Sequence, residues 1–310
     1  MTVELNTKPF VDVFEAALEQ WNAEGKKESE IPRTWASDAG RCARQIGFRL
    51  AGIERTNPLT TTSLWNMFLG TKIHEWAQEA LDAVYPNAQI EDYWQLDNAQ
   101  MSGSADASYG AVVRDVETET RVVVEMKSKP AWKVNQCVRG TYGNPPAGPE
   151  YEDQLQAAIS AVALDADVIH LIYFSKQPKG GDPLVGEWII ETPRQEAEQE
   201  MNRFRGIREI VVERHKLPKR VFQGKLVEDP MHKDNKWPCH YCGWQRACAT
   251  LPSGRIDLAD TTLEKSEQGR KWDAASGEKP TEPETPSTYY SARQVALDLF
   301  GPFMRKQEPS

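Results

Sequence analysis

Residues 121–128 read RVVVEMKS, and the alternation of that stretch decides the fold. Successive side chains of a strand point to opposite faces, so Val122, Val124 and Met126 share a core face while Glu125 and Lys127 share the other. An isolated E-x-K is usually a surface ion pair. A second acid distinguishes this one: residues 102–108 (SGSADAS) read as an earlier strand whose Asp106 sits among small residues, with Gly103 keeping its surroundings open. Placed side by side across a sheet, Asp106 and Glu125 repel unless a cation lies between them, and a hard divalent ion with oxygen ligands, Mg²⁺ or Mn²⁺, meets that need. Such an ion keeps positions open for water and for a phosphate oxygen. Lys127, two residues past Glu125, is placed to orient that water or help deprotonate it. These are the requirements of phosphodiester hydrolysis.

Working outward, helical spacing predicts helices over 11–21, 37–52 and 63–84. The last has Trp65, Phe68, Leu69, Ile73, Trp76, Ala80 and Leu81 as its buried stripe. His74 lies on it one turn after Gly70 and is a candidate additional metal ligand, an imidazole that favours Mn²⁺ over Mg²⁺. Short β-rich segments follow at 89–96, 101–109 and 111–116. A helix over 149–164 carries Tyr151 and Gln154, three apart and on one face, as candidates for positioning the scissile strand. Strands at 167–175 and 184–191 and a polar helix over 193–214 complete the pattern. The expected fold class is α/β, with helices covering a mixed central sheet.

Five cysteines stand at 42, 137, 239, 242 and 248. Residues 237–248 (WPCHYCGWQRAC) place three of them as C-x2-C-x5-C, a ligating spacing. Cys42, in GRCARQ, is the natural fourth ligand, which closes a loop of about 200 residues. Zinc and a [4Fe–4S] cluster both fit that spacing, and His240 or His232 is an alternative zinc donor. Cys137 reads as a free thiol in a loop.

The 310 residues carry 37 Lys+Arg against 46 Asp+Glu, a net charge of −9, and the mean hydropathy is −0.62. The longest apolar stretch, 157–174, is broken by Asp165, Asp167 and His170, so no membrane span is expected. No basic patch followed by an apolar run opens the sequence, and the cysteine usage fits a reducing cytoplasm. No G-x4-G-K-[ST] is present, which excludes a P-loop motor. Residues 201–248 hold eleven Lys/Arg against five Asp/Glu, and Lys127, Lys129, Lys133 and Arg139 form a second basic stretch. Such islands predict a groove tracking a nucleic-acid backbone. The expected organisation is a helical segment over 1–34, a main domain over 35–252, a Pro/Glu/Thr-rich disordered linker over 253–288, and an amphipathic segment over 289–310. The last, with Val295, Leu299 and Phe303, reads as a docking helix for a partner.

The order His74, Asp106, Glu125-x-Lys127, Gln154, then Cys239-x2-Cys242-x5-Cys248 with Cys42 far upstream resembles the RecB-like branch of the PD-(D/E)XK nuclease superfamily. It resembles most closely the iron–sulfur branch that includes CRISPR-associated and phage-encoded exonucleases and the AddB nuclease domain. The resemblance covers residues 35–250. It implies a restriction-endonuclease-like core with a C-terminal cysteine cluster region, and a Mg²⁺- or Mn²⁺-dependent DNA exonuclease acting at single- or double-stranded ends. Recombination, repair or phage replication is the implied setting, with a single-strand annealing or recombination protein as partner. Asp106 and Glu125 match the metal carboxylates, Lys127 the catalytic lysine, His74 the added metal ligand and Gln154 the glutamine of the Q-x3-Y motif. Cys42, Cys239, Cys242 and Cys248 match the ligands of a structural [4Fe–4S] cluster, with Zn²⁺ as the alternative. The motif's tyrosine is replaced by Ala158, and Tyr151, one turn earlier, is the substitute. Two other readings share the fold: a non-catalytic DNA-binding or scaffold module, and a nuclease trimming DNA ends in CRISPR adaptation.

Overall fold

The valine run of 121–128 lies inside a long strand at the centre of a six-stranded mixed sheet. The computed structural model describes residues 10–24, 31–57, 59–85, 87–96, 100–113, 116–141, 143–232, 239 and 241–275. The strands are β1 (Thr34–Trp35), β2 (Gln89–Leu96), β3 (Met101–Val113), β4 (Val116–Pro130), β5 (Val168–Lys176) and β6 (Val185–Glu191). They lie in the order β1-β3-β4-β5-β6, with β2 also on β3. β3 and β4 are antiparallel, β4 and β5 parallel, β5 and β6 antiparallel. The separate strand expected at 111–116 is instead the adjoining ends of β3 and β4, where the register shifts between Gly110 and Val112.

The helices are α1 (Phe10–Glu24), α2 (Ala43–Leu50), α3 (Thr61–Val84), α4 (Ala131–Arg139), α5 (Tyr151–Ala163) and α6 (Arg194–Arg208). They cover both faces of the sheet. On one face, Val123, Ile169, Leu171 and Tyr173 are buried with Ala157, Ala158 and Ile159 of α5 and Phe204 and Ile207 of α6. On the other, Ala77 of α3 packs with Ala107, Val124 and Met126. The period of two along β4 therefore divides its side chains between two cores, as the sequence requires. Thr60 caps α3 by accepting from the Ser63 N–H at 3.2 Å. The buried stripe of α3 differs from the expected one: Leu64 and Ala77 are buried, while Trp76 is 64 % exposed beside Phe174. Trp65 and Phe68 face α1, against Phe14 and Trp21. The helix expected over 37–52 is a 3-10 turn (Ala36–Asp38) followed by α2. Gly103 does not open its surroundings: a Cβ there would stand 2.5 Å from the Trp94 ring, which packs on it.

Residues 253–275, expected as linker, are folded. Ile256–Asp257 pairs antiparallel with Lys216–Leu217, Ile53 bridges Lys265, and a helix spans Glu267–Ala275. Gly52, at φ +66°, crosses Gly269 so closely that a Cβ on Gly52 would lie 2.2 Å from the Gly269 Cα. The rest of the expected linker and the 289–310 amphipathic segment lie outside the described residues. Among the described residues no helix is long and apolar enough to cross a membrane.

Candidate functional site

The edge of β3 facing β4 is divided. β2 holds the opposite edge from Met101 to Ser108, so β1, which pairs with Met101 and Ser102, shares the β4 side. β4 takes up pairing only from Ala107 onward. Asp106 lies at the opening between the two. Its Oδ2 accepts the Met126 N–H at 2.5 Å, and its Oδ1 is 3.3 Å from His74 Nδ1. The side chain thus takes a strand N–H that a continuing ladder would give to a carbonyl.

Glu125 continues the register opposite Asp106 and is 2 % exposed. Its Oε1 accepts from Lys127 Nζ at 2.5 Å and from Gln156 Nε2 at 2.8 Å. Gln156 Oε1 accepts from Lys127 Nζ at 3.0 Å, which closes a three-membered ring of hydrogen bonds. Glu125 Oε2 is buried and has no donor. Burial, opposed by Lys127 and reinforced by Asp106 and Asp153, pushes the Glu125 pKa up to about 7. Burial acts to lower Lys127, but the carboxylates of Glu125, Asp153 and Asp106 outweigh it and its pKa is raised. Behind this ring, Lys129 bridges Glu150 and Asp153 at 2.6 Å each, and Lys133 reaches Glu150 at 2.8 Å. Tyr173 donates to Asp153 at 2.5 Å and accepts the Glu150 N–H at 2.8 Å.

His74 thus lies against Asp106 and Lys127 against Glu125, and the two pairs are joined through the Met126 N–H that Asp106 accepts; among the described residues no three His, Cys, Asp or Glu side chains gather there as a ready metal site. Gln154 and Tyr151 are not part of the group: Gln154 donates to the Pro149 carbonyl at 2.8 Å, and Tyr151 is 58 % exposed. The glutamine at the site is Gln156. Two residues along a helix rotate a side chain by about 200°, so Gln154 and Gln156 point to opposite sides of α5. Asp153 and Gln156, polar and three apart, were the signal for the face of α5 that meets β4. The second basic stretch is internally paired: Lys127, Lys129 and Lys133 bond carboxylates, and Arg139 bonds the Gly181 carbonyl. Much of the 201–248 island is paired likewise, with Arg203 on Glu200, Arg208 on Glu213 and Lys216 on Asp257. Beside the ring opens a cavity of about 850 Å³, lined by Lys129, Asp153, Gln156, Arg41, Trp132 and Tyr241 among others. Trp132 and Tyr241 are 68 % and 78 % exposed.

The second feature is a small cavity of about 20 Å³ between α2 and the C-terminal region. Cys42, Cys239, Cys242 and Cys248 all line it, with Arg44 and Arg220. Cys42 precedes α2 as its N-cap residue, and Cys248 lies on a short helix, Gln245–Ala249. Burial and the neighbouring cysteines push Cys239 up to about 11. Cys242 is raised to about 12 by burial and the other three cysteines, against a hydrogen bond from the Trp244 backbone. His232 is not among the lining residues, and His240 lies outside the described residues. Cys137 is buried on α4 rather than in a loop. Among the described residues no three His, Cys, Asp or Glu side chains gather tightly enough to hold one metal ion. All four cysteines nevertheless line the one cavity.

No family model matches the chain, and no curated protein matches it. Among solved structures, the crystal structure of SSO0001 is similar at 16 % identity with a TM-score of 0.44, over 79 % of this chain and 98 % of that one. An alkaline exonuclease, LHK-Exo from Laribacter hongkongensis, is similar at 15 % identity with a TM-score of 0.42, over 63 % of this chain and 95 % of that one. Its complex with dAMP gives 15 % identity and a TM-score of 0.43 over the same shares.

Proposed function

We propose that the chain is a Mg²⁺- or Mn²⁺-dependent exonuclease that hydrolyses phosphodiester bonds at DNA ends and holds a structural [4Fe–4S] cluster on Cys42, Cys239, Cys242 and Cys248. The observation that carries the reading is Glu125. A fully buried carboxylate beside a second one, with an oxygen that no donor reaches, fits a cation. Asp106 and Glu125 would hold the divalent ion, with His74 against Asp106 as the added donor. Two protein carboxylates with water in the remaining positions is an ordinary arrangement for Mg²⁺. When bound, such an ion supplies an activated water and offsets phosphate charge.

The chain's own residues divide the remaining work. Lys127, within hydrogen-bond reach of Glu125 and Gln156, would orient the water and stabilise charge on the phosphoryl oxygens. Gln156 holds Glu125 and Lys127 in one geometry through two hydrogen bonds. Hydrolysis forms one P–O bond from water and breaks one to a sugar oxygen; the water's proton leaves to solvent and the sugar oxygen gains one. Trp132 and Tyr241 offer π faces on which bases of an incoming strand stack, next to Gln156. The order of motifs supports the nuclease family, and the four cysteines lining the second cavity support a cluster there.

Digestion of end-labelled single- and double-stranded DNA with Mg²⁺, Mn²⁺ or chelator tests the proposal. Metal-dependent release from ends is expected. Glu125→Ala and Lys127→Ala should each lower the rate by about 10³-fold or more while folding and DNA binding persist. Undiminished cleavage in Glu125→Ala discards the site.

A further inference from the structure

We infer that Arg220 donates hydrogen bonds to the sulfur atoms of a metal–thiolate group in the cysteine cavity, and that Arg220 and Arg44 together balance its negative charge. The inference rests on the cysteine reading above and assigns two residues that reading does not use. Both guanidinium groups line the cavity, and both residues are buried, Arg44 at 0 % and Arg220 at 4 % exposure. Arg44 is tied to carbonyls: Nε to Pro218 at 2.8 Å, Nη1 to Pro252 at 2.6 Å, and Nη2 to Gly254. Carbonyls orient a guanidinium but do not neutralise it. Among the described residues no carboxylate forms an ion pair with either arginine.

Arg220 is the more informative of the two. Its Nη2 donates to the Leu251 carbonyl at 2.9 Å, yet its Nε and Nη1 are buried with no acceptor. A buried, charged donor without an acceptor is costly, and native proteins rarely leave one so. The polar groups that share its cavity are Arg44, Gln45, Gln245 and the four cysteines, and of these only the cysteines become anionic acceptors. Arg220 acts electrostatically on Cys239 and Cys248, and Arg44 on Cys248 and Cys42. Neutral thiols are weak acceptors and offer no charge. Four thiolates around a [4Fe–4S]²⁺ core, or around one Zn²⁺, carry a net charge of about −2, matching two guanidinium groups. Sulfur acceptors would also satisfy the idle Nε–H and Nη1–H. Donors that hold the ligand sulfurs in place govern metal retention, and hydrogen bonds to sulfur tune the reduction potential of a cluster.

The test uses the full chain, purified anaerobically as wild type, Arg220→Gln and Arg220→Lys. Iron, sulfide and zinc content and absorbance near roughly 400 nm distinguish a cluster from zinc. Metal release to a chelator is then timed, and for an iron protein the midpoint potential is measured. Arg220→Gln should release metal about tenfold or more faster than wild type. Its potential should be more negative, because losing a positive charge disfavours electron uptake. Arg220→Lys keeps the charge but not the fork, so its potential should stay near that of wild type while release is faster. Wild-type release rates in both variants, or in Arg220→Lys if Arg220→Gln does not fold, overturn the inference and leave the cysteine reading standing. A wild-type protein purified with neither iron nor zinc overturns both.

Discussion

The two buried polar sites of this molecule are unbalanced in opposite senses. At the sheet opening the surplus is acidic: Glu125 keeps one oxygen without a donor, and Asp106 and Asp153 press on it from either side. In the cysteine cavity the surplus is basic: among the described residues Arg44 and Arg220 line it with the thiols and no carboxylate does, and two Arg220 donors are idle. Each imbalance has a sign, and the sign specifies the chemistry that complements it. The first complements a hard cation, the second an anionic metal–thiolate group. The surroundings differ in the same sense. The acidic site borders a cavity of about 850 Å³ through Asp153 and Gln156, whereas the thiols line a small space between α2 and the C-terminal region. On the proposed reading the first site serves turnover and the second serves retention.

The largest effect is expected at the cysteine cavity. Cys42→Ala should remove the metal and destabilise the fold by about 3 kcal/mol or more, because structural metal binding is folding free energy. Cys137→Ala, on α4 and away from the cavity, should cost only about 1 kcal/mol. Thermal unfolding with metal analysis compares them, and equal losses would dissolve the distinction. At the reactive site the α5 glutamines separate chemistry from helix surface. Gln156→Ala should lower the cleavage rate by about 10-fold or more, since it releases both Glu125 and Lys127. Gln154→Ala, whose amide bonds only the Pro149 carbonyl, should leave the rate within about twofold. The smallest effect concerns pH. The Glu125 pKa is raised from 4.5 to about 7, so the fold favours its protonated form; the stability this contributes is fully present below about 4.5 and is lost as pH rises through about 7. In chelator, wild type should lose stability relative to Glu125→Gln across that window by denaturant titration. A pH-independent difference would refute the acidic surplus.

How far the sequence could be read follows from which periodicities are local. A strand repeats every two residues wherever it sits, so Glu125, Lys127 and the valine run were legible, and Asp106 followed as their neighbour across the sheet. The C-x2-C-x5-C spacing is local too, and all four expected cysteines line one cavity. The helix stripe was less so. Which side of α5 meets β4 depends on docking, and a two-residue error exchanges Gln156 for Gln154. Trp76 shows the same limit: it is apolar and periodic, yet α3 covers only part of the sheet and leaves it exposed. The basic islands misled because charge pairing is non-local. Lys129 meets Asp153 and Lys216 meets Asp257, and no window of sequence displays those pairs. The fold continued past 252 for a related reason: two glycines, at 52 and 269, admit a close crossing that composition does not announce.

The carbonyls that hold Arg44 have a consequence for biosynthesis. Pro252 lies 208 residues after the arginine it anchors. At about 5–20 residues per second, roughly 10–40 s separate the synthesis of the two. Throughout that interval Cys42 is a nascent thiol and its neighbouring guanidinium lacks its final acceptors. The proposed cluster would therefore be loaded only in the closing moments of maturation, once Cys248 has been made and Arg44 has met its carbonyls.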